Sequence, residues 1–247
     1  METRSLVFVA VSCLLFHFAE LSKIPSYIKV CKRNDPKLND CIINSIETLR
    51  PYLLKGIPEL EVPSMEPLTL PEVLVARGAG IRAVGKNIDI SGPGSFVIKK
   101  LNVDLSNYQV DIAVDLPFLT FDGEYEVSGR LLVLPLKGKG PVKANATNCK
   151  ADVVLRARTV KKEAGDYLHF YNMDIDITIG GYHVQLDNLF NGDKLLGDAT
   201  NAALNENPKE LIAYLKPIIE KTVGNIILEI ANKITQHFTL EELLPEH

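Results

Sequence analysis

The chain has 247 residues, of which 46% are apolar and 23% are charged, and its formal net charge is −4. These are ordinary values for a globular protein, so they exclude a disordered chain. The negative charge disfavours nucleic acid and anionic membrane surfaces as partners, because both bind basic faces. The length suits one large domain or two small ones, and either could bury a sizeable core.

The start of the chain has the pattern of an export signal. A short apolar run over residues 6–16 follows a basic residue and gives way to polar residues. The run is too short to cross a bilayer comfortably, so it predicts a secretory signal peptide over residues 1–19 rather than an uncleaved anchor. Cleavage is expected after Ala19, with Ser22 as the alternative. Residues 20–247 would then form a single domain.

Three cysteines remain after such a cleavage: Cys31, Cys41 and Cys149. Export permits a disulfide, and the first two cysteines flank a short polar loop that such a bond could staple. Cys149 is left over and has the pattern of a buried thiol in a strand, since a nucleophile would need a histidine in reach. The single glycosylation triplet of the chain begins at Asn145, and it is a motif of low specificity.

An amphipathic helix is predicted near residues 39–54, where apolar residues recur at spacings of three and four. Gly56 suits the end of this helix, and Pro58 prevents its continuation. Four prolines at nearly even steps, from Pro58 to Pro71, then predict an extended connection.

From about Gly80 to Phe190 the sequence predicts one strand after another. Apolar and polar residues alternate with a period of two, as in antiparallel strands with one wet face, and no helical pattern separates them. The phase change at Lys99-Lys100 predicts a β-bulge, and Gly129 predicts a bulge or a crowded position. Three of the apolar faces are Tyr108, Val110, Ile112, Val114 and Leu116; Tyr125, Val127, Leu131 and Val133; and Met173, Ile175, Ile177 and Ile179.

A long helix is predicted near the end of the chain. Asn207 and Pro208 form a helix-start signal, and one apolar stripe then continues to Phe238. Over that range the helix would be about 45 Å long, and Pro217 could kink it. Its stripe needs an equally long apolar partner surface, and the strand faces are the only candidates. A packed core and a lined tunnel would look alike in the sequence.

The chain carries no motif that indicates catalysis or metal binding. It contains no Gly-x-Ser-x-Gly, no His-x-x-x-His and no Cys-x-x-Cys, so we expect no catalytic residue, no metal and no cofactor. Gly138-Lys139-Gly140 is expected to form a tight turn between strands rather than a phosphate loop, because it does not precede a helix.

Short motifs are spread in a fixed order over nearly the whole mature chain. They are Cys31 with DP at 35–36 and NDC at 39–41, GIPEL at 56–60, EPL at 66–68, GEYEVSGRLL at 123–132, GKG at 138–140, LFNG at 189–192, LGD at 196–198, LNEN at 204–207 and LLP at 243–245. Each motif is modest by itself, but their order and spacing together resemble the takeout and juvenile-hormone-binding proteins of insects.

This resemblance implies an α+β fold in which a strongly curved antiparallel sheet wraps the long apolar C-terminal helix and encloses a hydrophobic tunnel. It implies that the family's first-loop disulfide falls on Cys31 and Cys41. The hormone carriers have a second disulfide, for which only Cys149 remains here, so the chain resembles the takeout members more closely. The ligand could be a juvenile-hormone-like terpenoid, a fatty acid or a similar lipid.

We therefore expect a secreted, extracellular carrier of a small hydrophobic ligand, without enzyme activity or stable membrane insertion. The alternatives are a secreted protein-binding signalling module without a cavity and, with less support, an esterase. Tyr125 could anchor a ligand oxygen, although a core tyrosine bonded to the backbone is favoured, because most buried polar groups are satisfied internally. The expected tunnel lining is Tyr108, Val110, Ile112, Tyr125, Val127, Leu131, Leu215, Ile219, Val223, Ile226 and Ile230.

Overall fold

The computed structural model describes residues 24–78, 80–131, 134–206 and 208–246. The predicted signal peptide, Val133 and the helix-start residue Asn207 lie outside these residues. In the part of the chain that is described, no helix is long and apolar enough to cross a membrane.

The described residues form α-helices at both ends of the chain and strands between them. The helices are α1 (Leu38–Lys55), α2 (Lys194–Glu206), α3 (Pro208–Thr235) and α4 (Leu240–Leu243), and short 3-10 helices span Pro58–Leu60, Pro93–Ser95 and Phe190–Gly192. The strands are β1 (Leu68–Gly78), β2 (Ile81–Ser91), β3 (Val97–Asp104), β4 (Gln109–Leu131), β5 (Leu134–Lys162), β6 (Gly165–Thr178) and β7 (Gly181–Leu186).

All seven strands belong to one antiparallel sheet with the order β1-β2-β4-β5-β6, in which β3 pairs with β4 and β7 pairs with β5. The two long central strands change neighbours along their length. The first part of β4 pairs with β3 and its later part with β2, whereas β5 pairs first with β7 and then with β6. The sheet therefore has two halves that share the β4–β5 hairpin.

The two halves meet at Asn148, where the backbone of β5 adopts a left-handed φ of 51°. Before it, the buried residues of β5 are even-numbered, as at Leu136 and Ala146, and after it they are odd-numbered, as at Cys149 and Ala151. A strand alternates its side chains between two faces, so this change of phase keeps apolar residues facing inward in both halves.

The sheet is so strongly curved that one helix contacts the strands at both of its edges. α3 packs along β6 and also contacts β1, so the sheet curls far enough for its two outermost strands to reach the same helix. The expected fold class, a long C-terminal helix wrapped by a curved antiparallel sheet, is confirmed.

Helix side chains bind the exposed backbone of the edge strands. Asn232 of α3 binds both the N–H and the carbonyl of Phe170 in β6, with both distances at 2.8 Å. Asn201 of α2 binds both groups of Leu186 in β7 at 2.9 and 3.0 Å. These bonds replace those of a missing neighbour strand, which is one way of protecting a sheet edge. Similar contacts join Asn205 to Val184, Glu220 to Ile177 and Asn39 to Val103.

Several local predictions are confirmed. α1 covers the predicted helix, and Lys99 is the extra residue in the pairing of β3 with β4, as expected for a bulge. Gly129 has a φ of 132°, and a Cβ there would lie 2.0 Å from the carbonyl oxygen of Gly80. That position is crowded, and only glycine fits it.

The predicted turn at Gly138-Lys139-Gly140 is wrong, because these residues lie inside β5 opposite Tyr125–Val127 of β4. The glycines serve a close approach instead of a turn. A Cβ on Gly138 would lie 3.0 Å from the Cα of Leu189, and one on Gly140 would lie 2.6 Å from the carbonyl oxygen of Asp187. The chain segment after β7 therefore crosses directly over this part of the sheet.

Three element boundaries also differ from the prediction. α3 ends at Thr235 rather than Phe238, and Tyr108 lies in the turn before β4 with a φ of 49°. The proline-rich connection contains the 3-10 helix Pro58–Leu60, and Pro71 belongs to β1. α2 was not predicted.

Candidate ligand-binding site

One side of α3 carries an apolar row that we call the α3 stripe: Leu215, Ile219, Val223, Ile226 and Ile230. Their spacing of three and four places them on one side of the helix, and all five are half-buried. Gly224 marks another side of the helix, since a Cβ there would lie 3.9 Å from the carbonyl oxygen of Met173 in β6. Ile226 is two residues further on, about 200° around the helix axis. The α3 stripe therefore points away from β6.

The first end of the α3 stripe joins a cluster of buried side chains, the first cluster. It is formed where α2, the N-terminal part of α3 and the segment after β7 cover one half of the sheet, and Leu215 packs against it. The buried members are Ile81, Tyr125, Val127, Leu131, Leu136, Leu189, Leu204 and Leu211.

The other end joins a second cluster, built from α1, the 3-10 helix after it and the segment after α3. Ile230 packs against this cluster, and Phe238 at its centre is 0% exposed. The Cys31–Cys41 disulfide ties the chain before α1 to α1 itself, with Cα atoms 5.9 Å apart. The remaining buried members are Ile28, Leu53, Ile57, Leu60 and Val62.

A third cluster lies on the inner face of β4, β5 and β6. Its buried residues are Ala151, Val153 and Leu155, and Val110 and Ile112 pack against it together with Leu228 of α3. This cluster is the apolar wall of the sheet in the half that contains β3 and β6.

The residues in the middle of the α3 stripe do not join the buried clusters that its two ends join. Within the described residues, Ile219, Val223 and Ile226 belong to none of the three clusters. Because Leu215 and Ile230 on the same side of the helix pack into clusters at the two ends, the middle of the stripe faces the space between those clusters. The Cα atoms of Leu215 and Ile230 are separated by about 22 Å at 1.5 Å per residue.

The structure thus divides the residues predicted to line a tunnel. Tyr125, Val127, Leu131 and Leu215 lie in or against the first cluster, and Ile230 lies against the second. Tyr108 is half-buried in its turn. Leu189, which encloses one end, was missed, because it lies outside the periodic stretches that indicated the interior. Phe238 was predicted as the last residue of the helical stripe, but it lies beyond the end of α3 and encloses the other end.

Tyr125 is the polar side chain that the sequence placed inside. Its hydroxyl donates a hydrogen bond of 2.7 Å to the carbonyl oxygen of Asp187. Burial, with a smaller contribution from the nearby Asp187 carboxylate, raises the pKa of Tyr125 to about 12. The interpretation as a core tyrosine bonded to the backbone is therefore confirmed.

Cys149 is buried and free, and its burial raises the pKa of the thiol. A protonated, enclosed thiol is a poor nucleophile. Across residues 24–78, 80–131, 134–206 and 208–246, no group of three His, Cys, Asp or Glu side chains is arranged to hold a metal ion.

Two depressions on the sheet lie elsewhere. One of about 350 Å³ is lined mainly by the charged residues Lys86, Glu124, Glu126 and Lys139, and one of about 420 Å³ includes several aspartates of β4, β5 and β6. Neither is lined by residues of the α3 stripe. Their charged walls suit water better than a hydrophobic molecule.

Known proteins with similar sequences or structures identify the family and the fold of this chain. A Drosophila melanogaster protein named circadian clock-controlled protein daywake is 27% identical over 229 residues, which is 88% of this chain and 87% of that protein. A Schistocerca gregaria protein with the provisional name beta-carotene-binding protein is 23% identical over 220 residues, 88% of each chain. The crystal structure of Epiphyas postvittana Takeout 1 superposes with a TM-score of 0.76 at 24% identity, and the match covers 88% of this chain and 99% of that one.

The family model described as haemolymph juvenile hormone binding protein matches residues 6–245. That match covers nearly the whole chain, and the superposition on Takeout 1 agrees with the curved sheet and the long helix. The chain therefore belongs to the haemolymph juvenile hormone binding protein family and has a takeout-like fold.

Proposed function

We propose that the protein is a secreted, non-catalytic carrier that holds one small hydrophobic molecule along the middle of the α3 stripe. The observation that carries this proposal is the position of Ile219, Val223 and Ile226. They are apolar and half-buried, they face the space between two packed clusters, and they join none of the three clusters in the described residues. Close packing is the rule in protein interiors, so an apolar stretch that joins no buried cluster, while both its ends do, suits a ligand.

The ligand class follows from the chemistry of the stripe. Burial of apolar surface contributes roughly 25 cal/mol per Å², so a molecule with about 300 Å² of apolar surface gains about 7.5 kcal/mol before the costs of association. A charged group in the middle would be penalised, because the α3 stripe offers no partner for it. We propose a fatty chain or terpenoid whose polar end is neutral or lies at the mouth of the site. The family description and the name of the Schistocerca relative support such a ligand.

The first experiment is a titration with fatty alcohols and fatty acids from eight to twenty-two carbons at low and high salt. The range of chain lengths is chosen to match the length of the α3 stripe. Affinity is expected to rise with chain length and to level off when the chain fills the distance of about 22 Å between the packed ends. Salt is expected to have little effect, since no charge pair drives binding. A steep loss of affinity with salt, or no dependence on chain length, would show a polar surface site instead.

A matched pair of variants tests the position of the ligand. Ile226→Asp places a carboxylate in the middle of the stripe and is expected to weaken binding of a fatty alcohol by at least tenfold, because the charge must be desolvated. Asn225→Asp places the same charge one residue away, at an exposed position, and is expected to leave binding unchanged. If Ile226→Asp folds and binds like the wild type, the stripe does not face the ligand.

A further inference from the structure

The glycosylation triplet lies on the outer face of the sheet. Asn145 sits in β5 opposite Thr120 of β4 and His183 of β7. The intervening Ala146 is buried, and Val142, which shares its face, packs against the first cluster. Because strand side chains alternate between faces, Asn145 points outward. The acceptor asparagine and the threonine two residues later therefore share the surface that faces away from the first cluster.

An exposed aromatic ring shares this outer face. Phe118 lies directly opposite Thr147 in the pairing of β4 with β5, and 48% of its surface is exposed. Directly opposed residues of an antiparallel pair have side chains on the same face, and the diagonal neighbours Phe118 and Asn145 are separated by roughly 7–8 Å. On the other side of Thr147 lies Gly181, which has no side chain to fill the surface. A large group on Asn145 has room here and an apolar ring within reach.

We propose that Asn145 carries an N-linked glycan whose first sugar rings lie over Phe118. In the transfer, the side-chain nitrogen of Asn145 forms a bond to the anomeric carbon of an oligosaccharide held on a lipid diphosphate. The bond from that carbon to the diphosphate oxygen breaks, the lipid diphosphate leaves, and the amide loses one proton. The C–H face of a sugar ring then covers the electron-rich face of the phenylalanine and removes both from water. This inference rests on the export that is part of the proposed function.

Asn145 lies in a strand with neighbours on both sides, so transfer takes place on the unfolded chain during export. Its test is the intact mass of the full chain secreted from cultured insect cells, before and after digestion with peptide-N-glycosidase. We expect the enzyme to lower the mass and to leave aspartate at position 145 in the peptide map. Asn145→Gln and Thr147→Ala are expected to abolish the modification, whereas Thr147→Ser preserves the triplet and the glycan.

The outcomes separate the two proposals. Protein that reaches the medium without a glycan overturns the inference and leaves the carrier intact. Protein that never reaches the medium, while a secreted control protein does, contradicts export itself.

Retention on a hydrophobic-interaction column tests the contact with Phe118. Removing the glycan from the wild type is expected to expose the ring and lengthen retention, and in Phe118→Ser this increase should fall at least twofold. Tyr171→Ser is the matched control, because Tyr171 is a similarly exposed aromatic residue on β6, 52% exposed. An equal increase in Phe118→Ser and the wild type would show that the glycan does not cover the ring, and that Phe118 is free to contact another protein.

Discussion

The two ends of α3 and its middle differ although they carry the same kinds of side chain. At the ends, Leu215 and Ile230 pack against clusters whose members are almost fully buried. In the middle, Val223 and Ile226 are equally apolar and equally half-buried, but they join none of the three clusters of the described residues. The difference lies in what faces the helix, because α2 and the segment after β7 cover one end and α1 with its disulfide covers the other. A helix anchored at both ends can leave its middle available for a ligand without losing its place in the fold.

This comparison predicts a separation of stability from binding along one helix. Substitutions in the end clusters should lower the free energy of unfolding, whereas truncations in the middle of the α3 stripe should change ligand affinity and leave folding nearly intact.

Phe238→Ala is expected to have the largest effect. The side chain is 0% exposed at the centre of the second cluster, and truncating a buried phenylalanine costs about 3–5 kcal/mol because it leaves a cavity. Val223→Ala in the middle of the stripe is the matched truncation, and we expect it to cost about 1 kcal/mol or less, since a half-buried side chain loses fewer contacts. Urea denaturation of both variants measures the difference. Equal losses would mean that the middle of the helix is packed as tightly as its end.

Replacing Cys31 and Cys41 together by serine also tests the end of α3 at the second cluster, because it removes the disulfide that ties α1 to the chain before it. The bond closes a short loop, with a sequence separation of 10, and its loss is expected to cost about 2–3 kcal/mol in the chain-entropy model. Ligand affinity measured well below the melting temperature should be retained. Alkylation of the wild type should label Cys149 only after unfolding, because its thiol is buried. Unchanged stability in the double variant would show that α1 is held by packing alone.

Asn201→Ala tests the other end of α3, at the first cluster, which α2 helps to cover. Both polar groups of the side chain bind the backbone of Leu186, and removing them leaves a partly buried N–H and carbonyl without partners, which costs about 1–3 kcal/mol. Faster hydrogen exchange at the amide of Leu186 should accompany the loss. Asn225→Ala, at an exposed position on α3, is the control. If both variants unfold alike, the contact between α2 and β7 does not depend on this asparagine.

The local sequence pattern predicted the central sheet and the long helix α3, whereas the packing at the two ends of α3 depends on long-range contacts. The period-two alternation and the apolar stripe predicted the sheet and α3, because each pattern reports the face that one element buries. α2 was missed because its buried residues are Gly197, Asn201 and Leu204, while Leu195 is 82% exposed, so its apolar periodicity is misleading.

The contrast between ends that join buried clusters and a middle that joins none was also beyond the sequence. It depends on contacts between distant segments, such as that of the cluster around Phe238 with Leu53 and Ile57. Gly138 and Gly140 show the same limit, because the crossing segment that requires them begins almost fifty residues later in the chain.

Tyr125→Phe is expected to have the smallest effect. It tests whether Tyr125, a residue of the first cluster, also contacts the ligand. It removes the hydrogen bond to the carbonyl oxygen of Asp187, which should cost about 1 kcal/mol of stability near neutral pH.

Burial raises the pKa of Tyr125 to about 12 from the ordinary value of 10.0. Because the folded pKa is the higher one, the stabilising contribution is fully present below pH 10 and is lost as the pH rises towards 12. Urea denaturation from neutral to alkaline pH should therefore show a shallower decline in Tyr125→Phe than in the wild type. Tyr27→Phe is the control for ligand affinity, since its hydroxyl bonds to the exposed Glu59. Its alkaline decline should also become shallower, because the pKa of Tyr27 is likewise raised to about 12. The affinity for fatty alcohols should not change in Tyr125→Phe, because the hydroxyl is already bound to the backbone. A selective loss of affinity for alcohols over hydrocarbons of the same length would show that the ligand reaches into the first cluster, and that the boundary between the packed end and the open middle lies further towards β4.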